Sequence, residues 1–424
     1  MKDYKILPVI IISILLLSIY LPEIYKSMFV KRVDNTAIYY SPAAEEFIKA
    51  TVKKGRYRNI VYSSIDDKRE YSEDEFRRLL PFRYFYSLIA TNNFPQKFQE
   101  FTKKQKLIKK ELRYIRLRPK KINSKSVNLY PLFESSPKYG VLTFPNDMFR
   151  LSEKGITFID TITNSENKQK SAEYNNIFLK LGAKFPLKYA FGNPTTRKPF
   201  DEGYFILDSI GQLFHLKMEL NMPVINKIDT NGIDIKYILV KEHISKEFYA
   251  IAVSKDSNIY LIMYDNYKLK KLPLEHYDYK TMLFKIYTTP INRVVTTSYT
   301  DYKSNEKVIR TMVLDMKYNK IKENIYKYTL NNSLLYETIK SLIFPYTLYI
   351  KQSKEFYATL EIKNINFNSF ILYFIISILY ILYIKFKNEG IKNHIIPSIL
   401  IFTSGIYAII SLIMFEIIPI RKKR

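Results

Sequence analysis

The densest concentration of reactive side chains in this sequence is the run Asn193-Pro194-Thr195-Thr196-Arg197-Lys198-Pro199-Phe200-Asp201-Glu202-Gly203. Two prolines and a closing glycine predict a structured loop that enters a strand. Thr195, Thr196, Arg197 and Lys198 supply donors, and Asp201 and Glu202 supply adjacent carboxylates. Such a loop either binds an anion or closes on itself, with Asp201 or Glu202 paired to Arg197 across its neck. Arg197, Lys198, Asp201 and Glu202 are therefore the candidate binding residues. A general base at Asp201 or Glu202 would need a pocket and a displaced pKa, so no residue is assigned a catalytic role.

Other chemistries find little support. The chain has no cysteine, which removes disulfides, thiolate zinc sites, cysteine-ligated clusters and a cysteine nucleophile. Its four histidines (His215, His243, His276, His394) include no H-x-x-x-H pair, so neither a metal site nor a cofactor is expected. The ten glycines never fall as G-x-G, and no G-x-S-x-G elbow occurs. The acidic cluster Asp66, Asp67, Glu70, Glu73, Asp74 and Glu75 lacks the spacing and glycine of a calcium loop and reads as solvated surface. A net charge of +27 invites a nucleic-acid reading. The bias towards Lys, Ile, Asn and Tyr is spread over the whole chain, however, so no nucleic-acid partner is expected. Anionic lipid headgroups remain attractive partners, at about 1 kcal/mol per well-placed Lys or Arg.

Three apolar stretches must hold these residues at a membrane. Residues 6–21 and 369–384 each run sixteen positions without a charge, and residues 395–415 run twenty-one. About 20 apolar residues cross a bilayer as a helix, so three spans are expected. Tyr4, Tyr20, Tyr25 and Tyr373 suit headgroup depth, and Lys385 and Lys387 can reach outward to the interface. Lys2 and Lys5 precede the first span, but no small-x-small cleavage site follows, which favours a retained anchor over a signal peptide. Those lysines, with Lys385, Lys387 and Lys392, place the large domain outside the cytoplasm. Lys26, Lys31, Arg32 and the tail Arg421-Lys422-Lys423-Arg424 argue the other way. The first span carries more weight, so the chain is read as integral to a bacterial inner membrane with an extracytoplasmic domain.

The organisation predicted is an anchor at 1–25, a mixed α/β segment at 26–126 and a β-rich, propeller-like domain at 127–330. A connecting helix and strand follow at 331–366, then a transmembrane hairpin with a basic tail at 367–424. A short helix is expected to start across Ser41–Ile48, with Pro42 in its first turn. Ser72 and Glu75 have capping-box spacing, ahead of a helix that Pro81 interrupts. The basic stretch Lys103–Lys121 reads as a helix or turn running into a strand, since residues 114–118 alternate apolar and basic. Strands are expected at Gly140–Phe144, Ile156–Ile159, Tyr204–Leu207, Gln212–Lys217, Phe248–Val253, Asn258–Tyr264, Arg293–Thr297 and Val308–Leu314, with a hairpin turn at Asp208–Gly211.

The openings at Tyr204, Tyr249 and Val294 are 45 residues apart each time. Each opens a hairpin followed by a further run, Val224–Ile228, Leu269–Leu272 or Lys320–Ile325. That period suits a propeller blade, or an ordinary meander with coincidental spacing. Ser333–Phe344 is expected to be helical and stopped by Pro345.

The runs YSPAAEEFI, IRLRPKKI, YPLFESS, FPNDMFRL and NPTTRKPFDEGYFILDSIGQLFHLK resemble a bacterial membrane-protein family, domain of unknown function 4857. The resemblance spans nearly the whole chain and carries no catalytic residues. It implies an accessory or partner role in an envelope complex, beside ABC-transporter components. The leading expectation is a non-enzymatic, membrane-tethered partner-binding protein. The alternative is an envelope enzyme acting on glycans or lipids through Asp201 and Glu202.

Overall fold

The computed structural model describes residues 6–29, 35–54, 58–124, 127–301, 304, 306–330, 334–352, 358–387, 390–415 and 417. Lys2, Tyr4, Lys5, Lys31, Arg32 and the basic tail at 421–424 lie outside them. The fold is rich in antiparallel sheet with a few helices, and it divides into two units, residues 34–329 and residues 1–33 with 330–424.

The larger unit begins with a meander of β1 (Asn35–Ser41), β2 (Glu46–Lys54), β3 (Arg58–Ser64) and β4 (Glu70–Tyr71). The helix expected across Ser41–Ile48 is absent. Ser41 Oγ accepts from the Ala44 N–H at 3.0 Å, Glu45 turns the chain at φ 55°, and β2 starts at once. Local hydroxyl-to-backbone bonding here favours a hairpin over a helix start. The capping box forms as expected. Ser72 and Glu75 exchange hydrogen bonds at the start of helix Glu73–Leu79, whose Phe76 is buried.

After helix Gln105–Glu111 comes β5 (Arg113–Leu117), with Arg113, Ile115 and Leu117 inward and Tyr114 and Arg116 outward. The hairpin β6 (Asp147–Ser152) and β7 (Gly155–Asp160) and helix Lys168–Lys180 follow. The strand expected at Gly140–Phe144 does not form. Val141 and Phe144 are exposed there, between Pro137 and Pro145.

Three four-stranded meanders complete the unit. The first comprises β8 (Tyr189–Gly192), β9 (Tyr204–Leu207), β10 (Leu213–Glu219) and β11 (Met222–Ile228). The second comprises β12 (Ile235–Val240), β13 (Phe248–Ser254), β14 (Ile259–Met263) and β15 (Leu269–Lys271). The third comprises β16 (Leu283–Thr288), β17 (Arg293–Asp301), β18 (Glu306–Leu314) and β19 (Lys320–Thr329), with β5 added beside β16. Tyr204, Tyr249 and Val294 lie in β9, β13 and β17, the second strand of each meander. The 45-residue spacing therefore marks equivalent strands. Closure of the sheets into a propeller ring is not seen among the described residues.

The third sheet has two unlike faces. Ile115, Leu117, Phe284, Ile286, Val295, Met312 and Leu314 pack into one core with Ile251, Val253 and Leu261 of the second meander. Each such side chain contributes about 1.5–3 kcal/mol on burial. The other face carries Arg116, Lys285 and Thr296 in register.

The second unit holds two helices long and apolar enough to cross a bilayer, Leu7–Phe29 and Phe367–Phe386. The third expected span, 395–415, is instead two short helices, Ile395–Ser404 and Ile406–Met414. They break at Gly405, whose φ of 55° suits glycine and whose missing side chain makes room for the Tyr373 ring. Helix Leu334–Ile343 and hairpin β20 (Thr347–Gln352) and β21 (Ala358–Lys363) lead to the long helix.

Small polar residues point inward in this unit. Ser411 Oγ donates to Ser13 Oγ at 3.0 Å, and the Ser377 and Ser398 hydroxyls meet at 2.6 Å. Large apolar residues point outward, including Ile12, Leu16, Ile371, Phe374, Ile375 and Leu379.

Candidate functional site

The loop from Asn193 to Gly203 spans the gap between β8 and β9. The structure brings Lys198, Asp201 and Glu202 inward and leaves Arg197 exposed. Lys198 Nζ sits between Asp201 Oδ1 and Glu242 Oε1, the latter at 2.9 Å, and donates to the Asn193 carbonyl at 2.7 Å. Asp201 also accepts from Ser135 Oγ and the Gly203 N–H. The pairing expected through Arg197 is therefore made by Lys198, with Glu242 as a second carboxylate that the sequence did not single out. All three side chains are almost wholly buried, so the loop is clamped both on itself and onto the segment that follows β12.

Glu202 faces a different network. Tyr264 donates to its Oε1 at 2.6 Å, and the Lys217 ammonium stands 3.1 Å from Oε2. Tyr264 stacks on Tyr249 at 3.7 Å, and burial together with the Glu202 hydrogen bond drives its phenol far above the ordinary range.

The Glu202 carbonyl lies 2.6 Å from His215 Nε2, and a carbonyl only accepts, so Nε2 carries the proton. Nδ1 then accepts from Tyr267 at 2.9 Å. His215 is fully buried, and burial brings its pKa down to about 3, opposed by the Glu202 carbonyl and assisted by Lys217. Between the unfolded value of about 6.5 and this one, only the unfolded chain binds the proton. Stability is therefore expected to fall as pH drops below about 6.5, by at most about 1.4 kcal/mol per unit from this group. Urea midpoints at pH 7 and pH 5 test this, and His215→Asn should flatten the dependence.

The large opening of this unit lies elsewhere. A cleft of about 930 Å³ is bounded by the outward face of the third sheet, by β1 and by the segment Leu80–Tyr84. Arg83, Arg113, Arg116, Lys285 and Lys307 line it, and no Asp or Glu does among the described residues. Arg113 is committed, since it stacks 3.8 Å over Phe248 and donates to the Phe248 and Lys241 carbonyls. Burial lowers its pKa to about 10.

The other four cations have no carboxylate partner among the described residues. Arg83 lies over the Tyr39 ring at 5.1 Å and the Tyr287 ring at 5.9 Å. Lys285 faces Arg116 directly across the β5–β16 pair. Burial, then the charges of Arg116, Lys307 and Arg83, hold its ammonium below the ordinary lysine pKa.

Sequence reasoning passed over this cleft because its cations come from four distant segments. Only the alternation at 114–118 placed Arg116 on an outward face.

These features define a β-rich domain with an electropositive cleft and a self-clamped acidic loop, in a chain that also carries long apolar helices. The family Domain of unknown function (DUF4857) matches residues 37–309, more than half the chain, and the protein belongs to that family. No curated protein matches it.

Proposed function

We propose that the protein is a non-enzymatic, membrane-tethered binding protein of the bacterial cell envelope. Its β-rich domain presents an open cleft to a ligand or partner, in an accessory role beside a transporter of the ABC class. The observation that carries this reading is the contrast between the two sites. The carboxylates that an enzyme would use, Asp201 and Glu202, are spent on buried pairs, whereas the cleft offers donors and cations and, among the described residues, no acid. The three meanders are read as blades of an open, propeller-like array, supported by their common strand order and spacing.

Tethering draws support from the second unit, which buries serines and exposes leucine, isoleucine and phenylalanine. That is the inverse of a surface built for water and suits helices packed within lipid. We assign the large domain to the extracytoplasmic side of the inner membrane.

The full chain should pellet with membranes and leave them only in detergent, and it should bring down a stoichiometric membrane partner at native expression. A reporter fused within residues 130–330 should report the outer side. Recovery of the intact chain in a detergent-free supernatant would overturn the tether, and purification without any partner would overturn the accessory role.

A further inference from the structure

We propose that the cleft between β1, Leu80–Tyr84 and the outer face of the third sheet binds a phosphate-bearing anion whose organic part lies against tyrosine rings. The inference rests on the binding reading above and adds the site and the ligand class.

A sheet face in water tolerates lysines and arginines when carboxylates alternate with them. Here Arg116 and Lys285 are direct cross-strand neighbours, and like charges in that position destabilise a sheet. Lys307 lies on the same lining and, among the described residues, finds only the Thr300 hydroxyl, at 3.5 Å. Arg83 enters from the opposite wall and is held over two tyrosine rings rather than by an acid. Four positive groups thus converge on one walled space with no counter-charge among the described residues. An arrangement that works against the folded state at rest is accounted for if an anion completes it.

The donor chemistry narrows the class. Two guanidinium groups, two ammonium groups and the Tyr39, Tyr114 and Tyr287 hydroxyls surround the space, and these hydroxyls have no hydrogen-bond partner among the described residues. A phosphate monoester or diester presents several acceptor oxygens to such a set, and arginine forks match them two at a time. The volume of about 930 Å³ lies within the span of small-ligand sites and exceeds the needs of a bare phosphate. The tyrosine rings offer faces for a sugar, a base or a glycerol backbone. A soluble phosphate ester and a phospholipid headgroup share this chemistry.

The test uses the full chain purified in neutral detergent. Titration with inorganic pyrophosphate at low salt should give saturable binding. The double variant Lys285→Gln with Arg116→Gln should weaken it by on the order of a hundredfold or more, since each charge-assisted contact is worth roughly tenfold or above. The same variant should unfold at an equal or higher temperature, because a repulsion has been removed. Lys106→Gln with Lys109→Gln, which removes equal charge from the exposed helix Gln105–Glu111, should leave the affinity unchanged.

A second arm measures, by native mass spectrometry, retention of added phosphatidylglycerol against phosphatidylcholine. Phosphatidylglycerol retention lost in the cleft variant identifies a lipid headgroup. Pyrophosphate binding without it identifies a soluble ester. Unsaturable binding, an equal loss in both variants, or silence in both arms overturns the proposal. None of these outcomes bears on membrane tethering or on partner recovery, which are read separately.

Discussion

Replacing Lys198 with methionine is expected to cost about 3–5 kcal/mol of stability, the usual penalty for removing one partner of a buried ionic group. The ammonium is almost wholly enclosed and stands between the buried carboxylates of Asp201 and Glu242. Without it, two like charges face each other in a space that excludes water. Urea unfolding of the purified chain measures the loss. Asp201→Asn and Glu242→Gln added to the same chain should restore most of it, because a neutral cluster no longer needs the cation. Arg197→Ala, open to solvent, should stay within about 0.5 kcal/mol of the parent. A loop built to capture an anion would show the reverse, with Arg197 important to binding and Lys198 dispensable for folding.

The second large effect is expected at Gly203. Its φ of 59° lies in the left-handed region, and a Cβ there would run into the Leu216 carbonyl oxygen. That oxygen belongs to β10, whose Leu216 pairs with Tyr204 on one side and Ile225 on the other. The strand cannot retreat without loosening two ladders. Gly203→Ala should therefore lose about 2–5 kcal/mol, from left-handed strain of about 1–2 and overpacking of about 1–3. A lower thermal midpoint and loss of near-ultraviolet circular dichroism from the Tyr204 and Tyr264 neighbourhood would report it. A variant as stable as the parent would show that the loop can enter β9 by another path.

Much of the β architecture was legible because its strands carry local signals. Tyr204–Leu207 and Phe248–Val253 are short apolar runs, and Asp208 to Gly211 is a turn that its own residues dictate. Asp208 accepts from the Ile210 and Gln212 N–H groups, and Gly211 takes φ 86°. The first strand of each meander was harder to see. Tyr189–Gly192 has four residues, and Leu283–Thr288 alternates inward apolar side chains with Lys285 and Tyr287. Helix Lys168–Lys180 carries a weak signal as well, since it buries only Ser171, Tyr174 and Phe178.

The acidic loop was located by composition, but its true partner was not. Glu242 follows β12 in another meander, and only the folded chain carries it to Lys198. The cleft was invisible for the same reason on a larger scale, because Arg116 meets Lys285 through pairing between β5 and β16, far apart in sequence. The break at Gly405 is not legible in hydropathy, which measures an apolar run and not its continuity as a helix.

The cationic lining of the cleft also has a bearing on speed. Four clustered cations within low-dielectric walls concentrate the electric field at the mouth of the opening, so a negatively charged molecule is drawn inward before any contact forms. Encounter should then quicken as mobile ions are diluted. It should slow once the Debye length, about 10 Å at 0.1 M salt, becomes shorter than the opening is wide.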